Sequence, residues 1–97
     1  MNRVTVVAFV KAKKGKEKDL ERALLDLIAP THREAGCIDY ILHRAQESPG
    51  VFVFYENWES ADRLQEHLNS KHLRGFLSKA EGLLESPPGI QLYDRIS

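Results

Sequence analysis

Residues 37–58 read CIDYILHRAQESPGVFVFYENW, and the fold follows from how this stretch divides. Cys37–Arg44 and Val51–Trp58 are runs rich in β-branched, aliphatic and aromatic residues. The six residues between them, Ala45–Gly50 (AQESPG), are polar and end in Pro-Gly, a turn signal. Two strands joined so closely form an antiparallel hairpin. In the second strand Phe52, Phe54, Glu56 and Trp58 share one parity, and Val51, Val53, Tyr55 and Asn57 the other. Successive side chains of a strand point to opposite faces, so these are two separate surfaces.

The same pattern extends outward in both directions. Upstream, Val4–Val10 (VTVVAFV) is apolar on both parities, as in a strand covered on both faces. Between it and the hairpin the spacing predicts a helix over about Lys16–Ala35. Leu20, Ala23, Leu24, Leu27, Ile28 and Thr31 form its buried stripe, Pro30 kinks or ends it, and Gly36 is its stop. Downstream, Ser60 caps a short helix that carries Leu64, His67 and Leu68 on one face. Asn69-Ser70 interrupts it, and a second piece follows with Leu73, Phe76, Leu77, Ala80, Leu83 and Leu84. Ser86-Pro87-Pro88-Gly89 stops that piece, and Ile90–Ile96 reads as a last strand. The order β-α-β-β-α-β is an α+β, ferredoxin-like arrangement, a single domain over residues 1–97. It predicts a four-stranded antiparallel sheet with both helices on one face. The other face carries Val, Phe and Tyr side chains, and a second copy of the same sheet is its simplest cover. A homodimer through the sheet faces is therefore expected.

Composition narrows the function classes. With 14 Lys+Arg against 14 Asp+Glu, the 97-residue chain has no formal net charge, and nucleic acid or an anionic membrane is not an expected partner. The basic cluster Lys11–Lys18 lacks interleaved aromatics and reads as a solvated loop. The single Cys37 excludes an intramolecular disulfide and a multi-cysteine metal site. No run approaches the ~20 apolar residues of a membrane span, and the start does not resemble a signal peptide. A cytoplasmic location is expected. No Gly-rich phosphate loop or dinucleotide fingerprint occurs, so neither nucleotide nor flavin is expected.

The chemistry-bearing residues are few. His67 lies between Leu64 and Leu68 on the apolar stripe, so it faces the sheet as a satisfied core histidine or as a catalytic one. Glu56 shares its face with two Phe and a Trp and is costly to bury unless paired or protonated. It either points towards His67 or pairs with Arg44 or Arg74 at the rim. His67 and His72 are five residues apart, which on one helix separates them by about 140°. Only the Asn69-Ser70 break could reunite them. The spacing does not match a two-His zinc helix, and no metal site is expected; His72 reads equally well as a solvated helix-start residue. Trp58 reads as packing, Cys37 as a small buried residue without a base, His43 as a residue of the open face and His32 as solvated.

Taken in order, Gly36-Cys37-x-x-Tyr40, Pro49-x-x-Phe52, Tyr55-Glu56-x-Trp58-Glu59-Ser60 and His67-x-x-Ser70-x-His72-x-x-x-Phe76 resemble the antibiotic biosynthesis monooxygenase (ABM) family, its small quinol monooxygenases in particular. The resemblance covers nearly the whole chain. It implies a dimeric α+β barrel with a pocket in each subunit between sheet and helices. It also implies oxidation of a small electron-rich aromatic, a quinol or anthrone, by O₂ without metal, flavin or haem. Such chemistry needs an apolar pocket, a base for the phenolic proton and donors for a peroxide oxyanion. On that reading Phe52, Phe54, Trp58, Leu64 and Phe76 form the pocket wall, and His67 is the base oriented by Glu56. His72 or Asn57 then serves as the donor. Haem-degrading members of the family place a Trp where this chain has His67 and a haem-ligating His where it has Leu77, so haem chemistry is not expected. Two alternatives share the fold: a small-metabolite isomerase of the phosphorylated signal-sugar type, with Arg74 or Arg44 near the phosphate, and a non-catalytic ligand-binding dimer. An enzyme calls for a cavity of roughly 300 Å³ or more with His67 at its wall.

Overall fold

Alternation and helical stripes of these periods dictate one sheet with helices on one side, and the computed structural model, which describes residues 3–97, has that form. In chain order the elements are β1 (Val4–Lys11), α1 (Glu17–Leu25), α2 (Ile28–His32), β2 (Cys37–Arg44), β3 (Val51–Trp58), α3 (Ala61–Leu68), α4 (Lys71–Leu83) and β4 (Gly89–Tyr93). The strands lie in the order β2-β3-β1-β4, and every neighbouring pair is antiparallel. This is the ferredoxin-like α+β architecture.

Register decides which residues reach the helices. Val6 sits opposite Glu56, Val10 opposite Phe52 and Tyr40 opposite Glu56. That face, with Val4, Phe54 and Trp58, is buried beneath Leu20, Leu24, Leu64 and Phe76. The other face presents Phe9, Ile41, Tyr55 and Tyr93 largely exposed. A register shift between Cys37 and Asp39 leaves Ile38 as an extra residue, while Cys37 still pairs with Trp58.

Two expectations change. The helix expected over about 16–35 is two helices, and the break falls at Asp26–Leu27 rather than at Pro30. Pro30 has no N–H to give the Asp26 carbonyl, one turn upstream, and its ring crowds that carbonyl. The chain responds with a tightened turn, Leu27 N–H donating to the Leu24 carbonyl at 3.1 Å. The last strand stops at Tyr93 rather than Ile96 because its neighbour runs out: Tyr93 pairs with Thr5, one residue from the start of β1.

The broken second helix is capped as expected. Ser60 Oγ accepts the Arg63 N–H, and Ser70 Oγ accepts the Leu73 N–H while donating to the His67 carbonyl at 2.7 Å. The joint between α3 and α4 is thus tied on both sides. Among the described residues no helix is long and apolar enough to cross a membrane.

Gly36 has φ +87°, and a Cβ there would lie 2.4 Å from Arg63 Cγ and 2.6 Å from its Cβ. Gly15 shares the same φ, but nothing lies within 4 Å of the corresponding Cβ. Gly15→Ala therefore meets only the left-handed backbone cost of about 1–2 kcal/mol. Gly36→Ala meets that cost plus a clash close to the Arg63 backbone. Urea unfolding of the two variants is expected to show Gly36→Ala as the more destabilised by about 1 kcal/mol or more; equal losses would remove the close-packing role given to Gly36.

Candidate active site

Beneath the helices the face of Phe54 and Glu56 does not close completely. It leaves a cavity of about 80 Å³, lined by Val6, Ala8, Tyr40, Phe54 and Glu56 from the sheet, by Leu64 and His67 from α3, and by Leu73, Phe76 and Leu77 from α4. Val10, Leu24, Leu27 and Leu68 also border it, as do Pro88 and Ile90 where β4 begins. Almost every lining group is apolar; Glu56, His67 and the Tyr40 hydroxyl are the exceptions. His67 is 2% exposed and Glu56 4%.

His67 is held from three sides. Its ring packs against Trp58, with centroids 4.6 Å apart, and meets Tyr40 edge-on at 5.3 Å. Its Nδ1 lies 2.7 Å from Glu34 Oε2. That same oxygen lies 2.7 Å from His72 Nε2. Since a carboxylate oxygen accepts, both imidazoles donate to it, and His67 carries its proton on Nδ1. Nε2 then holds the lone pair, and among the described residues it has no hydrogen-bond partner. Burial pushes the His67 pKa below its ordinary 6.5 despite the pull of Glu34, which keeps the ring neutral.

Glu56 has a different role from the one expected. It does not orient His67; its Oε1 accepts the Trp58 indole N–H at 2.9 Å. Burial pushes its pKa up to about 7, against the lowering effect of that hydrogen bond. The rim pairing with Arg44 is also absent, because Arg44 bonds Glu21. Beside the Tyr40 phenol, the cavity wall therefore holds an imidazole and a carboxyl whose pKa values lie near or below neutrality, a common composition for acid–base chemistry.

The other expected site residues divide. Phe54, Leu64 and Phe76 line the cavity as expected. Phe52 and Trp58 do not: Phe52 packs in the core near Val10, and Trp58 stands behind His67 as its stacking partner and as the donor to Glu56. Asn57 faces the opposite side of the sheet, donating to Asp39 Oδ2 at 3.0 Å and bonded to Thr5 Oγ1. It has no access to the cavity. His72 bonds Glu34 and does not line the cavity either, so neither residue expected as the oxyanion donor stands at the wall. Nor is His72 simply solvated, and the Asn69-Ser70 break does reunite it with His67, ring centroids 6.0 Å apart. His32 is exposed, as expected, and its Nε2 also donates to the Tyr40 carbonyl at 3.0 Å at the outer edge of β2. Burial pushes the Cys37 thiol up to about 11, away from the thiolate form that a nucleophile needs.

Glu34 and Tyr40 are site residues that the pattern did not single out. Glu34 sits in the polar run THREAG, where no periodicity marks an inward side chain. Tyr40 does follow the β2 alternation towards the helices, and its ring stacks on Phe54 at 4.4 Å.

With this geometry in hand, comparison with known proteins is direct. Residues 3–79 match the model of the family described as Antibiotic biosynthesis monooxygenase, and the chain belongs to that family. The solved structure of PA3566 from Pseudomonas aeruginosa is 32% identical and superposes with a TM-score of 0.95, covering 100% of this chain and 97% of that one. Rv0793 from Mycobacterium tuberculosis is 36% identical over 70 residues, 71% of this chain and 68% of the relative. Its structure superposes with a TM-score of 0.92 over 99% and 97% of the two chains, at 26% identity. The protein sll1783 of Synechocystis is 27% identical over 90 residues; these are 93% of this chain but 61% of that protein's length.

Proposed function

We propose that the protein is a cofactor-independent monooxygenase that oxidises a small electron-rich aromatic, a quinol or anthrone, with O₂. The observation that carries this reading is His67, a buried imidazole in the wall of an apolar cavity with its Nδ1 2.7 Å from Glu34 Oε2; donation from Nδ1 leaves Nε2 as its accepting nitrogen. Nε2 takes the phenolic proton of the substrate. The resulting phenolate passes one electron to O₂, the radical pair combines into a peroxide at a ring carbon bearing hydrogen, and loss of water leaves a carbonyl. One oxygen atom enters the quinone and the other leaves as water. Glu56, whose pKa burial raises to about 7, supplies in its protonated form the hydrogen bond and proton that the peroxide oxygen requires. This is the donor role first given to His72 or Asn57.

The cavity of about 80 Å³ is smaller than the ~300 Å³ of ordinary small-molecule sites. Substrate entry is assigned to the wall of Leu77, Pro88 and Ile90. There Leu77 and Ile90 are about half exposed, so side-chain displacement opens the cavity outward without breaking the core. The same small volume favours a second reading, a non-catalytic domain that holds a small apolar ligand. The isomerase reading loses support, since none of the described residues lining the cavity is an Arg or Lys to meet a phosphate. Oxygen uptake decides: metal-free protein with a one- or two-ring quinol is expected to consume O₂ above the rate of spontaneous oxidation and to release quinone. Binding of the quinol with no uptake would leave only the non-catalytic reading.

The working unit is proposed to be a homodimer joined through the open sheet face. Phe9 and Tyr55, on the two central strands, are about half exposed at the middle of that face. Burying an aromatic side chain there contributes roughly 1.5–3 kcal/mol. The double variant Phe9→Asp/Tyr55→Asp is expected to sediment as a monomer with its helical circular dichroism intact. An unchanged dimer would place the interface elsewhere.

A further inference from the structure

We propose that Glu34, His67 and His72 form a site for a divalent transition-metal ion, and that its occupancy converts His67 from a proton acceptor into a hydrogen-bond donor. Glu34 and His72 do not line the cavity that His67 borders. Glu34 Oε2, His67 Nδ1 and His72 Nε2 all fall within 4.8 Å of one another. They come from three separate segments: the turn after α2, the last turn of α3 and the first turn of α4. The sequence spacing of the two histidines argued against a shared ligand site. The capped break between α3 and α4 removes that objection by turning the second ring back onto the first.

The donor set selects the class of ion. Two imidazoles and one carboxylate suit Zn²⁺, Co²⁺, Ni²⁺ or Cu²⁺, whereas Mg²⁺ and Ca²⁺ prefer all-oxygen ligands. Each imidazole now holds a proton against the same carboxylate oxygen at 2.7 Å. A metal takes the place of both protons there, and each ring keeps its one proton on its other nitrogen. With bonds of roughly 2.0–2.2 Å the ligand atoms stand about 3.0–3.5 Å apart, so each oxygen–nitrogen distance lengthens by roughly half an ångström. His67 is locked by Trp58 and Tyr40, but the Glu34 and His72 side chains are 15% and 22% exposed. They can make that movement, and they give the ion and its remaining water ligands a route from solvent. The consequence follows from imidazole chemistry. A neutral ring bound to metal at Nδ1 carries its single proton on Nε2, the nitrogen to which the substrate proton is assigned above. That nitrogen then donates and no longer accepts. This second half of the proposal rests on the proton-acceptor role given to His67 above; the metal site does not.

Cobalt(II) titrated into chelator-treated protein tests the site without reference to turnover. The expected result is visible d–d absorption that saturates at one ion per chain, with His72→Ala and Glu34→Gln each weakening binding by about 100-fold or more. His43→Ala, on the open sheet face, is expected to bind as the parent does. His72→Ala removes a partly exposed ring, and its thermal melting is measured in parallel to show that the fold persists. Absence of the absorption, or affinity unchanged in both variants, would overturn the site and leave the cluster a hydrogen-bonded triad. Zinc, which is redox-inert, tests the switch: one equivalent is expected to suppress quinol oxidation in the parent and not to suppress the residual rate of His72→Ala. Saturated cobalt binding combined with zinc-insensitive turnover would overturn the switch while the site stands. Absence of any quinol turnover would fall on the proposed function, and the cobalt result would still decide the site.

Discussion

His67→Gln is expected to lower the proposed O₂-dependent quinol oxidation by about 10²- to 10⁴-fold, the range that positioned acid–base groups contribute. Glutamine suits the test because its amide can still donate to Glu34, keeping that carboxylate paired, while no atom of it can take the phenolic proton at neutral pH. Truncation to alanine would confuse the result. It opens a hole beside Trp58 and Tyr40 and leaves Glu34 with one partner fewer, so lost activity and lost stability would arrive together. The signature of the proposed role is a fall in kcat with melting close to that of the parent. Its pH profile adds a second check. The burial that lowers the His67 pKa puts the acid limb of turnover below pH 6.5, and the Glu56 pKa of about 7 puts an alkaline limb near neutrality. A variant at position 67 that keeps more than a tenth of the parental rate would remove His67 as the base.

Much of this site was legible because a strand and a helix each impose a strict period. Phe52, Phe54, Glu56 and Trp58 had to share a face, and Leu64, His67 and Leu68 had to cover one. Together these place a carboxyl and an imidazole under the same roof. Alternation also put Asn57 with Val53 and Tyr55; its assignment as a donor in the pocket conflicted with its own parity, and the structure resolves the conflict in favour of parity. Phe52 and Trp58 show a subtler limit. Parity says that they point towards the helices, but not whether they meet the cavity or the solid core on either side of it. Glu34 was invisible for a different reason. It acts from a turn, where side-chain direction depends on the two or three backbone angles set by the Asp26 break and Gly36, not on any repeat. The break itself could be sited from Pro30, provided that the lost hydrogen bond is traced to the carbonyl one turn upstream.

Glu56→Gln is expected to make the protein more stable above neutral pH and to have little effect near pH 4.5. In the folded chain burial holds the Glu56 pKa at about 7, against an ordinary 4.5. Between those values the folded state binds more protons than the unfolded one, so stability falls as pH rises. The protonated carboxyl's contribution is fully present below about pH 4.5 and is lost as pH climbs through about 7. At 1.36 kcal/mol per pKa unit the loss is on the order of 3 kcal/mol. Glutamine keeps an oxygen for the Trp58 indole N–H and has no charge to desolvate. Urea unfolding at pH 5 and pH 8.5 is therefore expected to show the variant gaining about 3 kcal/mol on the parent across that interval, roughly 10 °C or more in Tm; parallel curves would mean that Glu56 is not held protonated. The same substitution removes the proton that the peroxide oxygen needs. A variant more stable at pH 8.5 yet slower at pH 6 is the combination expected when a fold retains a buried carboxyl for chemistry at the expense of stability. A passive core residue would alter the first quantity and leave the second alone.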